Sequence, residues 1–136
     1  MKQSSFLIRV FGLLLVGGVG VVLFLPPLLA KREEYRVRGM LLTVQEGLQE
    51  FHVKEELYPR KMMKGAELVQ FLVEKEFLDA SLRNPWTGEP YLETLAEDWL
   101  QYRTGPLAET YELIVCFAGT EEVQFRLDST ENQSLE

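Results

Sequence analysis

The chain has 136 residues, of which 46% are hydrophobic and 26% are charged, and its formal net charge is −7. This length leaves room for one domain beside a membrane segment, which argues against a multidomain enzyme. All 21 acidic residues lie after position 30, with every lysine and arginine except Lys2 and Arg9, so this part carries about −9. Nucleic acid and anionic lipid headgroups are therefore poor partners for its surface.

The first predicted element is a membrane helix. Residues 1–9 form a short leader-like stretch, and the residues from Val10 to Ala30 contain no charge and are rich in Leu, Val and Gly. As a helix, residues 10–30 would span roughly 30 Å, the thickness of the hydrocarbon core of a bilayer. A cleaved signal peptide has a shorter apolar core and a small-x-small exit, so Leu28-Leu29-Ala30, with the bulky Leu28 where a small residue is needed, favours a retained anchor over a cleaved signal.

The composition of this segment also predicts how it bends and packs. Pro26 and Pro27 remove backbone donors near its far end, which predicts a kink there. Basic residues flank both ends, so charge alone leaves the orientation open. Glycine is common in membrane helices, and it also allows close approach between two of them. The glycines predicted to contribute to helix packing are Gly12, Gly17, Gly18 and Gly20.

Two helices are predicted after the membrane segment. Apolar residues spaced by three or four continue the first helix to about Leu57, where Tyr58-Pro59 ends it because a residue before proline avoids helical geometry. A second helix is predicted from about Gly65 to Leu78. The predicted buried positions are Val37, Leu41, Val44, Leu48 and Phe51 in the first helix, and Leu68, Val69, Leu72, Val73 and Phe77 in the second.

A specific turn and a small sheet follow. Two prolines and a glycine within residues 84–91 indicate a defined turn, with Trp86 packing it onto the core. Three strands are predicted at Trp99 to Arg103, Tyr111 to Phe117 and Glu122 to Leu127, with a weaker one at Tyr91 to Leu95. Their breaks suit antiparallel hairpins. The predicted fold is α+β, with a long N-terminal helix packed on a small antiparallel sheet and a flexible tail at 129–136.

No residue pattern carries catalysis. Cys116 lies in an apolar strand and is interpreted as a core residue. His52 has no second histidine or cysteine pair beside it and is interpreted as a surface or flanking residue. The residues Gly119 to Glu122 are too short and too poor in Asp for a calcium loop. We therefore expect no enzyme activity, no cofactor and no metal. The carboxylate pairs Glu55-Glu56, Glu97-Asp98 and Glu121-Glu122 are interpreted as solvated surface.

The order of these parts resembles the type IV pilin and type II secretion pseudopilin family. The shared features are an apolar helix with a proline near its end, an amphipathic continuation closing on Tyr58-Pro59, and a turn before the sheet. That turn resembles the family's Asn/Asp-Pro-aromatic-x-Gly-x-Pro-Tyr segment through Asn84, Pro85, Trp86, Gly88, Pro90 and Tyr91. The resemblance implies a pilin-like domain outside a single-pass inner-membrane helix. It implies other pilin-like subunits or secretion-machine membrane proteins as partners, within the lipid bilayer.

The leader departs from the family pattern. If Pro27 matches the family's helix proline, Ser5 takes the place of the cleavage glycine, Phe6 that of the first mature residue and Val10 that of the family's glutamate. If Pro26 matches instead, Arg9 takes the place of the glutamate. In the family, that carboxylate is thought to meet a neighbour's terminal amine inside the bilayer, where an unpaired charge is costly. Its absence favours a minor, tip or accessory subunit over a major one.

Two hypotheses of function remain open at this point. The first is a membrane-anchored, pseudopilin-like structural subunit of a type II secretion or type IV pilus-like assembly, serving protein transport or pilus formation. The second is a monomeric single-pass membrane protein whose acidic domain binds a protein partner of opposite charge. The second predicts no leader cleavage and no association through the membrane helix.

Overall fold

The computed structural model describes residues 2–93 and 98–130, with side chains from residue 27 onward. Its contacts divide the chain into two units, Met1–Tyr35 and Arg36–Glu136. Helix α1 extends over Lys2–Glu55 and includes the leader-like stretch, the predicted membrane segment and the amphipathic continuation. Ser5, Phe6, Pro26 and the four glycines predicted to pack lie before residue 27, outside the residues whose side chains are described, and the predicted kink stays a prediction.

No helix is long and apolar enough to cross a membrane within the part of the chain where side chains are described. The predicted membrane segment, residues 10–30, falls almost wholly before residue 27. Of its side chains, only the last four are described, and Leu28 and Leu29 among them are exposed. The membrane segment therefore stays a prediction.

The second unit begins with the amphipathic half of α1, whose predicted apolar positions are all buried. Val37, Val44 and Leu48 have no exposed surface, which confirms the helical spacing. The helix ends at Glu55, two residues before the predicted Leu57. Glu56 has a positive φ of 65° and donates its N–H to the carbonyl of His52 at 2.8 Å. A left-handed residue therefore ends the helix before the proline does.

Helix α2 extends over Gly65–Glu74, four residues shorter than predicted. Glu76 has a φ of 64°, the N–H of Glu76 donates to the carbonyl of Val73 at 3.0 Å, and the N–H of Phe77 donates to that of Leu72 at 2.8 Å. These two bonds form a Schellman motif, which usually places glycine where this chain has Glu76. Phe77, predicted on the helix, lies beyond it and packs its ring edge-on against Phe51.

The sheet has four antiparallel strands in sequence order. Three of them confirm the prediction to within one residue at each end: β2 (Leu100–Thr104), β3 (Tyr111–Cys116) and β4 (Val123–Asp128). The fourth, β1 (Met63–Lys64), was not predicted, because two residues show no alternation. The prediction of a weak strand at Tyr91 to Leu95 is wrong, since Tyr91–Glu93 forms a 3₁₀ turn. Residues 94–97 lie outside the described residues.

The core lies between one face of the sheet and the two helices. In register across the strands, Met63 opposes Tyr102, Tyr102 opposes Leu113, and Leu113 opposes Leu127, and all four side chains are buried. They join the apolar faces of α2 and of residues 37–51 of α1 in one cluster. The α+β class with an antiparallel sheet is confirmed. Ser129, assigned to the tail by the sequence, donates and accepts one hydrogen bond each with Tyr111.

Alanine at the two glycines of this part of α1 is expected to have opposite effects. A Cβ at Gly47 would lie 2.9 Å from the carbonyl oxygen of Phe77 and 3.1 Å from Cγ of Leu78, whereas a Cβ at Gly39 would meet nothing within 4 Å. Helical glycine costs about 1 kcal/mol relative to alanine, and overpacking costs about 1–3 kcal/mol. We expect Gly39→Ala to raise the free energy of unfolding by about 0.5–1 kcal/mol and Gly47→Ala to lower it by about 1 kcal/mol. Urea denaturation followed by circular dichroism measures both, and equal increases would contradict the close approach at Gly47.

Candidate functional site

The turn at residues 84–91 closes around the completely buried side chain of Asn84. Its Oδ1 accepts hydrogen bonds from the backbone N–H groups of Trp86 at 2.9 Å and Thr87 at 3.3 Å. The backbone N–H of Asn84 donates to the carbonyl of Glu89, and the backbone carbonyl of Asn84 accepts from the N–H of Gly88, both at 2.8 Å. A short side chain with an oxygen acceptor is what such an Asx turn requires.

The remaining residues of the motif fix the path of the chain through the turn. Pro85 is buried, and Gly88 has a φ of 78°, which glycine adopts without strain. Arg83 donates from Nη1 to the carbonyl of Gly88 at 2.7 Å and forms an isolated bridge with Pro90. Trp86 is half-buried against the core. The predicted turn, and the predicted packing of Trp86, are therefore confirmed.

The turn ends at Tyr91, which joins it to a helix and a strand through Asp98. Tyr91 is completely buried, and its hydroxyl donates to Oδ1 of Asp98 at 2.8 Å. The other carboxylate oxygen, Oδ2, accepts the N–H of Ala66 in the first turn of α2 at 2.7 Å. Oδ1 also accepts the N–H of Leu100, at the start of β2, at 3.3 Å. One carboxylate thus holds the turn, α2 and β2 together.

The prediction that Asp98 belongs to a solvated carboxylate pair is wrong. Its side chain is half-buried and accepts three hydrogen bonds, while Glu97 lies outside the described residues. The sequence does contain a relevant signal, because Lys64 precedes α2 where a Ser, Thr, Asp or Asn would normally cap it. A helix without a local cap needs an acceptor from elsewhere.

Gly65 is needed for this contact. A Cβ there would lie 2.4 Å from Oδ1 of Asp98, 2.5 Å from the hydroxyl of Tyr91 and 2.7 Å from Cβ of Leu100. No side chain fits without displacing the Asp98 carboxylate or the ring of Tyr91. The sequence indicated Gly65 only as the start of a helix.

The Tyr58-Pro59 segment is held against the sheet by a group of aromatic residues. The N–H of Tyr58 donates to the carbonyl of Ala108, and the hydroxyl of Tyr102 donates to the carbonyl of Pro59, both at 2.8 Å. The ring of Tyr58 lies edge-on to Tyr111 at 4.6 Å and stacked on His52 at 4.4 Å. The half-buried His52 is therefore a flanking residue of the core, as predicted.

Burial raises the pKa of four tyrosines. The pKa of Tyr111 rises to about 12, and those of Tyr58 and Tyr102 also rise, mainly because burial penalises the phenolate. Burial, together with the adjacent Asp98 carboxylate, raises the pKa of Tyr91 far above its usual range. These phenols are structural groups that stay protonated, and they are unsuited to acid–base exchange near neutral pH.

The remaining candidate residues lie in separate places. Cys116 is buried in β3, as predicted, and the structure brings no histidine to it. Glu55, Glu56, Glu121 and Glu122 are exposed. Within residues 27–93 and 98–130 there is no group of three His, Cys, Asp or Glu side chains able to hold a metal ion. The best-defined polar site is thus the joint of Asn84, Tyr91 and Asp98, and its hydrogen bonds fix geometry.

Removing this carboxylate is expected to cost more stability than any surface charge. Asp98→Ala deprives α2 of its acceptor and leaves the buried Tyr91 hydroxyl unsatisfied, so we expect a loss of about 2–3 kcal/mol, and about 1–2 kcal/mol for Tyr91→Phe. The double variant should lose less stability than the sum of the two single losses, because both substitutions remove the same hydrogen bond between Tyr91 and Asp98. Chemical denaturation measures this cycle. Asp79→Ala is the control, since the carboxylate of Asp79 is exposed and, among the described residues, bonds only to Ser81, and an equal loss there would contradict the assignment.

Alkaline pH is expected to unfold the domain. A phenol whose pKa is higher in the folded chain than in the unfolded chain binds its proton more tightly when folded. Stability from Tyr58, Tyr91, Tyr102 and Tyr111 is therefore fully present below about pH 10 and falls as pH rises toward 12. Phenolate absorbance and circular dichroism, recorded together, should show these four tyrosines ionising with unfolding. A chain in guanidinium chloride provides the reference, and ionisation of all five tyrosines near pH 10 in the folded chain would contradict this.

Neither family models, characterised proteins nor solved structures give a match to this chain. The residues, their geometry and the order of the elements are therefore the basis on which a function is proposed.

Proposed function

We propose that the chain is a membrane-anchored, pseudopilin-like structural subunit of a type II secretion or type IV pilus-like assembly. The observation that carries the proposal is one helix, Lys2–Glu55, that contains the uncharged apolar stretch from Val10 to Ala30 and ends packed on an antiparallel sheet. An apolar first half suits a bilayer, and an amphipathic second half supports a folded domain in water.

The turn at residues 84–91 supports the same proposal. Its resemblance to the family segment includes the residues that build its geometry, because Asn84 accepts the closing hydrogen bonds and Gly88 takes the positive φ. Tyr91, the last residue of the motif, is the one anchored to Asp98. A motif whose members all have structural roles in one turn carries more weight than a chance match of single residues.

The polar groups of the domain also support a structural role. The buried hydroxyls of Tyr91 and Tyr102 and the carboxylate of Asp98 are bonded to backbone or to each other. In this proposal, the domain lies outside the inner membrane, and subunits or secretion-machine proteins associate through the apolar helix. Gly12, Gly17, Gly18 and Gly20 would allow close approach between helices. Val10 or Arg9, in place of the family's glutamate, favours a minor, tip or accessory position.

The proposal is tested by the mature N-terminus of the protein. The full-length chain is isolated from its own membranes, and its terminal peptide is identified by mass spectrometry. A start at Phe6 is expected if a prepilin-type peptidase processes the chain after Ser5. Ser5→Leu should abolish processing because the position needs a small residue, whereas the neighbouring Ser4→Leu should leave it intact.

An intact Met1 in the wild-type protein, with the chain present in membranes, would contradict processing and favour the monomeric membrane-anchored module. Recovery of the chain only in the soluble fraction would contradict both membrane hypotheses. Alkaline carbonate extraction distinguishes these outcomes, since a spanning helix resists it and a peripheral protein is released.

A further inference from the structure

The face of the sheet opposite the core contains a groove. The groove has a volume of about 510 Å³ and lies wholly within the unit Arg36–Glu136. Ile114 and Cys116 of β3 form part of its lining, with Trp99 and Gln101 beside them. Alternation along β3 places Leu113 and Val115 in the core and Ile114 and Cys116 on the groove side. This volume is within the usual range for binding sites.

Three cations line the groove of a strongly acidic chain. Lys64 of β1, Arg103 of β2 and Arg126 of β4 are exposed and lie on the same face of the sheet. Nε of Arg126 lies 3.2 Å from Oε1 of Glu112, while Lys64 and Arg103 have no carboxylate partner among the residues that the structure describes. Two acids also line the groove: Asp98, which accepts hydrogen bonds from Ala66, Tyr91 and Leu100, and the exposed Glu121. The three cations outnumber these two carboxylates, whereas the chain as a whole has 21 acidic and 14 basic residues.

The register gives the spacing of these charges. Lys64 pairs with Gln101, Gln101 with Ile114, and Ile114 with Arg126, so the four form one row across four strands. Neighbouring strands are about 4.8 Å apart, which puts the backbones of Lys64 and Arg126 about 14 Å apart with Ile114 between them. In an extended peptide, residues i and i+4 are about 13 Å apart and face the same side as residue i+2.

We propose that this groove binds an extended acidic segment of another protein, with carboxylates at positions i and i+4 and an apolar residue at i+2. One carboxylate meets Lys64 and Arg103, the other meets Arg126, and the apolar side chain lies toward Ile114. The charge of the groove is complementary to such a segment, whereas the acidic remainder of the domain repels it. This inference concerns the second unit alone and does not depend on leader processing or on assembly through the helix.

The probe is a fluorescein-labelled peptide with the central sequence Glu-Ser-Leu-Ser-Glu, added to the full-length chain in a mild non-ionic detergent. Fluorescence anisotropy should show saturable binding that weakens as salt is raised. The peptide Gln-Ser-Leu-Ser-Gln should bind at least about tenfold more weakly. Because Cys116 is the single cysteine and lines the groove, the probe should also slow its reaction with a thiol reagent, which gives a readout specific to this place.

Matched charge variants locate the binding. Lys64→Glu with Arg103→Glu should weaken binding at least about tenfold. Arg60→Glu with Lys75→Glu makes the same change in net charge at exposed positions outside the groove and should leave binding unchanged. Circular dichroism checks that both double variants are folded.

Three results would overturn the proposal. The first is absence of saturable binding to the wild-type chain, and the second is equal loss of binding in the two double variants. The third is evidence for another occupant. Self-association lost only in the Lys64→Glu, Arg103→Glu variant would assign the groove to a second copy, and tighter probe binding after removal of residues 131–136 would assign it to the chain's own C-terminal segment.

Discussion

The carboxylate of Asp98 is the contact on which the arrangement of the domain depends. It supplies the acceptor that the first turn of α2 lacks, it satisfies the buried hydroxyl of Tyr91, and it accepts the N–H that begins β2. Each of these groups would be costly to leave unsatisfied away from water. Because Gly65 has no side chain, these three partners approach closely enough to share one carboxylate. The turn at 84–91, α2 and the sheet are thereby fixed relative to one another.

The parts of the fold that the sequence predicted are those where local periodicity and burial agree. The apolar spacing from Val37 to Phe51 and the strands β2, β3 and β4 are repeated patterns, and tertiary packing confirms them. The errors lie where a contact distant in sequence or an unusual backbone conformation determines the structure. Met63–Lys64 becomes a strand only because β2 is beside it. Helix α2 ends early because Glu76 takes a left-handed conformation, which the sequence, with no glycine there, did not indicate.

The same distinction between local and distant contacts applies to the joint of Asn84, Tyr91 and Asp98 and to the groove. Asn84 and Gly88 could be predicted because an Asx turn is built from neighbours in sequence. Asp98 could not, since its partner Ala66 is 32 residues away and its adjacent acid suggested a solvated pair. The groove cations Lys64, Arg103 and Arg126 come from three strands, so only the register places them on one face. A pattern along the sequence does not predict which residues of different strands lie side by side.

The two faces of the sheet differ in composition and in what they can contribute. The inner face is covered by the helices and provides stability, so its residues are not available for contact with other proteins. The outer face carries charges around a small apolar centre and contributes less to folding, because exposed ion pairs are worth little. Association through an apolar helix in lipid depends on close packing and is nearly insensitive to salt, whereas contact at the outer face is electrostatic and is screened within about 10 Å at 0.1 M ionic strength. Ionic strength therefore separates the proposed assembly through α1 from the proposed recruitment of an acidic partner by the domain.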